Sequence, residues 1–93
     1  MNNQAQPLLS KIMAKNFSEL NEKIKALRGI SLIQRTWADV ACMMSEKDRS
    51  GYLMMLDTAK FFMMRNDFIR VNREYRVIHN FLQTVQARGE DKA

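Results

Sequence analysis

The chain has 93 residues, 46% of them hydrophobic, and a net charge of +5. That length fits one domain, residues 1–93, with a small core, and the hydrophobic content excludes disorder as the main state. The single cysteine, Cys42, excludes an internal disulfide. The apolar runs are far shorter than the roughly 20 residues of a membrane span, and the polar N-terminus lacks a signal-peptide pattern. We therefore expect a cytoplasmic protein that makes no membrane contact.

A first helix is predicted over about residues 8–28, after a frayed segment at residues 1–6. Its apolar residues recur at alternating steps of four and three, which is the spacing of a heptad seam. The members of this first seam are Met13, Phe17, Leu20, Ile24 and Leu27. Arg28 followed by Gly29 is typical of a helix end, because a cation near the last turn is followed by a residue that tolerates positive φ.

A second, shorter helix is predicted over about residues 32–44. Ser31 and Gln34 have the spacing of a capping box at its start. Its apolar face again follows steps of four and three: Ile33, Trp37, Val40 and Met44. A polar connection then contains a second pair with capping-box spacing, Ser45 and Asp48, which leads into the third helix.

The third helix is predicted as one rod over about residues 50–88, because the 37 residues between Gly51 and Gly89 include no glycine or proline. At 1.5 Å per residue it would be about 50 Å long. A heptad seam runs along it: Phe61, Met64, Phe68, Val71, Tyr75, Ile78, Leu82 and Val85. The pair Asn66–Asp67 has the chemistry to cap a new helix and break the rod. We expect continuity, because the apolar register continues across the pair, with fraying at residues 89–93.

These elements predict an all-α fold, a small bundle or hairpin of three helices with one long C-terminal helix. The two seams indicate either antiparallel packing of the first and last helices or a homodimer in which the seams meet. Asp57 interrupts the apolar frame of the long helix, where a charge either lies near the surface or sets the register of a dimer.

Arginines cluster on one side of the predicted third helix. At 100° per residue, Arg65, Arg73 and Arg76 fall within one quarter of the circumference. Four further residues lie on the adjoining flank: Arg70, Val77, Phe81 and Arg88. One interpretation is a solvated face. The other is a contact face in which the apolar residues anchor a partner and the arginines bind its carboxylates or phosphates.

Six of the eight methionines form adjacent pairs: Met43–Met44, Met54–Met55 and Met63–Met64. These flexible side chains either fill the core or form an adaptable contact surface. Cys42 and His79 are the sole residues of their types, and no spacing predicts a nucleophile with its base or a set of metal ligands. We therefore expect no catalytic, cofactor or metal site, and no enzyme activity.

One segment has a pattern seen elsewhere. The sequence Leu-x-x-x-Ile-x-Ala-Leu from Leu20 to Leu27, followed by a methionine-containing helix that ends near Met44, resembles small helical stress regulators of enteric bacteria. That group includes anti-adaptors, which shield a stationary-phase sigma factor from proteolysis. The resemblance covers less than half of the chain and includes no diagnostic motif. A small chain rich in Asn, Gln and Met also resembles phage and plasmid accessory proteins.

The sequence favours a non-enzymatic, protein-binding regulator, an adaptor or inhibitor that docks through a basic and apolar helix face. An alternative is a nucleic-acid-binding protein that adds four lysines of the first helix to the same arginines: Lys11, Lys15, Lys23 and Lys25. A second alternative is a self-assembling structural coiled coil. In each case the expected partners are macromolecules, including a second copy of the chain.

Overall fold

The structure, a computed structural model, describes the backbone of residues 5–92 and the side chains of Lys11 and residues 13–89. It contains three α-helices: α1 (Ala5–Val40), α2 (Glu46–Met64) and α3 (Phe68–Lys92). A short 3-10 turn at Ala41–Met43 joins α1 to α2. The all-α, three-helix prediction is confirmed. None of the described helices has the length and apolar composition needed to span a membrane.

Helix α1 is continuous through the predicted stop at Arg28–Gly29, so the division into helices at 8–28 and 32–44 is wrong. Gly29 instead lies where α1 packs closely against α3. A Cβ atom at position 29 would lie only 2.9 Å from Cδ2 of Tyr75. A glycine inside a helix costs about 1 kcal/mol relative to alanine. Packing of the helix against α3 on both sides of Gly29 outweighs that cost.

The start of α2 follows the predicted chemistry. The hydroxyl oxygen of Ser45 accepts a hydrogen bond from the backbone N–H of Asp48 at 3.1 Å. In return, the carboxylate of Asp48 accepts one from the backbone N–H of Ser45 at 3.2 Å. The second capping box is therefore confirmed.

The predicted rod over residues 50–88 is wrong, because the chain reverses between α2 and α3. Asn66 has a φ of 58°, in the left-handed region that asparagine tolerates better than most residues. The N–H of Asn66 donates to the Met63 carbonyl and the N–H of Asp67 to the Phe62 carbonyl, both at 3.0 Å, which is a Schellman ending. Asp67 then accepts from the N–H of Arg70 at 3.3 Å and caps α3.

Helices α1 and α3 run parallel, which makes the predicted antiparallel packing wrong. Near the start of α3, the Asn72 amide contacts Glu22, and near its end a Cβ on Gly89 would meet Met43. Position numbers thus increase together along both helices. The reason is the reversal before α3, which turns the chain back into the direction of α1.

Helix α2 is antiparallel to both neighbours. Its first turn is joined to the end of α3 by an ion pair between Asp48 and Arg88, at 3.1 Å. At its other end, the Phe62 ring lies 5.5 Å from the Arg70 guanidinium at the start of α3. Helix α3 therefore packs against both other helices. The resulting molecule measures 71 × 21 × 14 Å, and its radius of gyration of 18.5 Å exceeds the roughly 12 Å of a compact chain of this length.

The core lies along α3. Five members of its predicted seam are buried: Val71, Tyr75, Ile78, Leu82 and Val85. They meet residues of α1 and α2 that are also buried: Ala26, Ile33, Val40, Tyr52 and Ala59. Phe61 and Met64, which the continuous rod placed in the same seam, are exposed on α2, and Phe68 is half-buried at the edge of the core.

The first seam does not pack on α3. All five of its residues, from Met13 to Leu27, are exposed on the outer side of α1. The side that packs carries Ala26, Gly29 and Ile33, whose smaller members let α3 approach closely. Heptad spacing identifies an apolar stripe, but it does not identify which helix covers that stripe.

Two glycines that lie inside helices predict opposite effects of the same substitution. Gly29→Ala should destabilise the protein by about 1–2 kcal/mol, because the added methyl displaces the buried Tyr75 ring. Gly51→Ala should stabilise it by about 0.5–1 kcal/mol, because position 51 has no atom within 4 Å of the new Cβ. Urea denaturation followed by circular dichroism measures both. Equal stabilisation by the two variants would contradict the close approach of α1 and α3.

Candidate functional site

The arginines predicted to share one helix face are divided by the structure. Arg65 ends α2 as its C-cap, and its guanidinium lies 4.3 Å from the centroid of the Phe61 ring. Arg70, Arg73 and Arg76 lie on the first half of α3 and are all exposed. The reversal at Asn66–Asp67 therefore removes Arg65 from the helix face that carries the others.

Two of the predicted contact arginines are engaged within the molecule. Arg70 forms an ion pair with Asp67 at 3.3 Å, and its guanidinium also lies near the Phe62 ring. Arg88 donates a hydrogen bond to a carboxylate oxygen of Asp48 at 3.1 Å. These contacts link α3 to the preceding loop and to α2, so both side chains serve the fold.

The predicted apolar anchors also differ from each other. Phe81 is half-buried and packs against the hydrophobic core. Val77, one turn earlier on α3, is 47% exposed. Of the two, only Val77 is available to a partner without a change in the core.

Three of the predicted contact residues, together with Ile69, lie exposed on the side of α3 that faces away from the core. We call this group the outer α3 face: Ile69, Arg73, Arg76 and Val77. Positions 69, 73 and 77 are one helical turn apart, so their side chains form a continuous strip. Ile69 is 61% exposed. Among the described side chains, neither Arg73 nor Arg76 has a carboxylate oxygen within 4 Å.

An open groove of about 410 Å³ lies beside this face, between α1 and α3. Its polar residues are Glu22, Lys25, Asn72, Arg76 and His79. The groove forms between two helices that are far apart in the sequence, so no spacing within one segment predicts it.

The carboxylate of Glu22 in this groove is already bound by other side chains of the protein. The Asn72 amide donates to its carboxylate at 2.7 Å and to its backbone carbonyl at 3.0 Å, and Lys25 pairs with it at 3.3 Å. The hydrogen bond from Asn72 is the main cause that lowers the pKa of Glu22 below its ordinary value, with smaller contributions from Lys25 and Arg76. The carboxylate is thus a charged structural group. Among the described residues, no cluster of histidine, cysteine, aspartate or glutamate is arranged to bind a metal ion.

Exposed apolar residues occur on α2 as well as on α1, and sequence reasoning assigned several of them to the interior. On α2 the large ones include Leu53, Met54, Phe61 and Met64. Asp57 lies among them on the exposed side and carries no cost of burial. The methionine pairs are divided, with Met44 buried and Met43, Met54, Met63 and Met64 exposed.

Trp37 and Cys42 lie near the turn between α1 and α2. The Trp37 ring stacks on Tyr52, with centroids 4.3 Å apart and planes 12° apart, and so joins the two helices. Burial raises the pKa of Tyr52 above its ordinary value. Cys42 is a free, exposed thiol.

Truncation of the two apolar residues predicted to anchor a partner should separate their roles. Phe81→Ala should cost about 2 kcal/mol of stability, because the half-buried ring packs on the core. Val77→Ala should change stability by less than about 0.5 kcal/mol, since Val77 is exposed. Chemical denaturation of both variants measures the difference. An unchanged stability of Phe81→Ala would show that this ring does not support the core.

The ion pair between Asp48 and Arg88 predicts a loss of stability in acid. Hydrogen bonds from Arg88, first, and from Ser45 lower the pKa of Asp48 below its ordinary value of 3.8. Because the folded pKa is the lower one, the ionised carboxylate favours folding above pH 3.8, and this contribution disappears as the pH falls through the folded pKa. Asp48→Asn should therefore melt below the wild-type temperature at pH 7.

The two melting curves should converge well below pH 3.8. Glu46→Gln is the matched control, because Glu46 is an exposed acid in the same helical turn. Thermal melts of the three proteins between neutral and acidic pH provide the measurement. A difference between Asp48→Asn and wild type that persisted in acid would assign the effect to something other than ionisation.

Comparison of the chain with protein-family models, curated proteins and solved structures finds no match. The likeness to anti-adaptors therefore stays a likeness of pattern between residues 20 and 44. An argument about function has to start from the exposed faces of the three helices.

Proposed function

We propose that this protein is a non-enzymatic cytoplasmic regulator, an adaptor or inhibitor, that docks on an acidic surface of another protein. The outer α3 face is the contact surface. One observation carries the proposal. Two arginines without a carboxylate partner among the described side chains lie next to two aliphatic side chains, Ile69 and Val77, that are 61% and 47% exposed.

The rigidity of α3 supports this assignment. The side of α3 opposite the contact surface carries Val71, Ile78 and Leu82, none of which is accessible to solvent. A helix that is fixed in this way presents its outer side chains in one arrangement, so little backbone entropy is lost on binding. Arginines at the centre of an interface commonly contribute much of the binding energy, and their guanidinium groups match carboxylates in geometry.

A protein partner fits this surface better than a nucleic acid does. The exposed aliphatic side chains of Ile69 and Val77 lie next to the arginines. A phosphate backbone gains no favourable contact from aliphatic groups, whereas an apolar patch on a protein does. Two of the four lysines that would extend a phosphate-binding stripe also make contacts within the molecule. Lys23 lies 5.5 Å from the Phe68 ring centroid, and Lys25 pairs with Glu22.

The proposal is tested by charge reversal on the contact surface. The double variant Arg73→Glu/Arg76→Glu should lower affinity for the protein partner at least about 30-fold, because two carboxylate contacts become repulsive. Capture from a lysate of the source cells, with and without nuclease, identifies the retained protein. Titration of that purified protein then gives the affinity of each variant.

The control is Lys47→Glu/Lys60→Glu, which changes the net charge by the same amount at two exposed positions on α2. It should bind as wild type does. Equal binding by both double variants would remove the outer α3 face from the interface. Loss of the captured material on nuclease treatment, with an affinity for a DNA or RNA oligonucleotide that falls steeply with salt, would favour the nucleic-acid alternative.

A further inference from the structure

The outer side of α1 carries an apolar stripe that nothing in the chain covers among the described residues. We call it the α1 stripe: Met13, Phe17, Leu20, Ile24 and Leu27. Its members are between 39% and 68% exposed. At 100° per residue they lie nearly opposite Ala26, Ile33 and Val40, which face α3. A second helix can thus lie along the stripe without meeting α2 or α3.

The stripe has the residue spacing of a coiled coil. Phe17 and Ile24 occupy the a positions of a heptad, and Met13, Leu20 and Leu27 the d positions. Part of the stripe also lies beyond the rest of the fold, because Ser18 and Glu19 are level with the loop that precedes α3. Met13 and Phe17 therefore lie on a part of α1 that extends past α3.

We propose that the α1 stripe pairs with the α1 stripe of a second copy of this chain, in antiparallel orientation, to form a dimer. The stripe is self-complementary, as a two-fold symmetric interface requires. Exposed side chains of this size offer on the order of 100 Å² each. In the antiparallel register with Phe17 against Leu20 of the other copy, Leu27 lies opposite Ser10, so four stripe residues of each copy meet and together bury roughly 800 Å². That area is at the lower end for a specific interface and indicates a dimer that dissociates at low concentration.

The charged residues beside the stripe favour antiparallel over parallel pairing of the two α1 helices. In a parallel pair, Lys23 at a g position would face Arg28 of the other copy at an e position, twice per dimer, and these like charges repel. In an antiparallel pair, g positions face g positions. The register that places Phe17 against Leu20 of the other copy brings Lys23 beside the neutral Asn16 of that copy, so the repulsion disappears.

This dimer is independent of the proposed docking function, since the α1 stripe and the outer α3 face lie on different helices. Sedimentation equilibrium from about 1 to 100 μM covers the affinity range that an interface of this size typically shows. Wild type should approach twice the chain mass of 10.9 kDa at the high end. Leu20→Asp should raise the dissociation constant at least about 100-fold, because it places a carboxylate in the centre of the apolar seam.

The matched control is Leu53→Asp, the same substitution at an exposed leucine of α2. It should dimerise as wild type does. Both leucines are exposed, so both variants should keep the helical circular dichroism of the wild type. A wild-type monomer mass throughout, or a dimer lost in Leu53→Asp and kept in Leu20→Asp, would overturn the proposal and leave the docking function untouched.

Cross-linking tests the orientation in a Cys42→Ser background, which removes the native thiol. A mixture of Ala14→Cys chains and Asn21→Cys chains keeps Lys23 and Arg28 and should form a disulfide-linked heterodimer readily, because these e positions face each other in the antiparallel register. A mixture of Asn16→Cys and Asn21→Cys chains, whose g and e positions meet only in a parallel pair, should link poorly. The reverse result would establish a parallel pair and contradict the antiparallel arrangement.

Discussion

The close contact between Gly29 of α1 and the ring of Tyr75 on α3 determines the arrangement of this molecule. A side chain at position 29 would collide with that ring, so glycine at this point allows the two helices to approach. Ala26, a further small residue, lies buried on the same side of α1. The same side of α1 carries the buried Ile33 and Val40, so the opposite side, with the residues from Met13 to Leu27, faces solvent. The side of α1 that meets α3 thus fixes which apolar residues form the core and which stay exposed.

The sequence predicted the helical class and most of the residues on the buried side of α3, but it misplaced two helix boundaries. The two errors have opposite origins. Arg28–Gly29 has the local pattern of a helix end, whereas the role of Gly29 is set by Tyr75 of α3, which follows 46 residues later in the chain. At Asn66–Asp67 the apolar register continued because the exposed side of α2 is itself apolar, with Phe61 and Met64. Local cap chemistry, not periodicity, decided the reversal there.

The sequence predicted a candidate surface of arginines and apolar residues on the last helix, but only some of the residues it named lie on the outer α3 face. Arg73, Arg76 and Val77 lie exposed near one another, as helical spacing from the sequence indicates. Arg88 is held by Asp48, which lies 40 residues earlier, and no pattern within one helix reveals such a pairing. Phe81 packs on a core to which α1, α2 and α3 all contribute, and that core forms only because the chain reverses at Asn66–Asp67, where the sequence predicted a continuous helix.

The two proposed surfaces are mechanically separate, and this separation has a thermodynamic consequence. The outer α3 face is supported from behind by buried residues of α3, and the part of the α1 stripe from Leu20 to Leu27 by Ala26 and Ile33. The two surfaces lie on different helices and share no residue, so we expect binding at the two surfaces to be additive. The proposed antiparallel dimer would present two copies of the proposed docking face, and on this view its gain in affinity for a multivalent partner would come from effective concentration alone. Cooperative binding by the isolated monomer would instead require α1 to shift against α3, and the contact between Gly29 and Tyr75 opposes that movement.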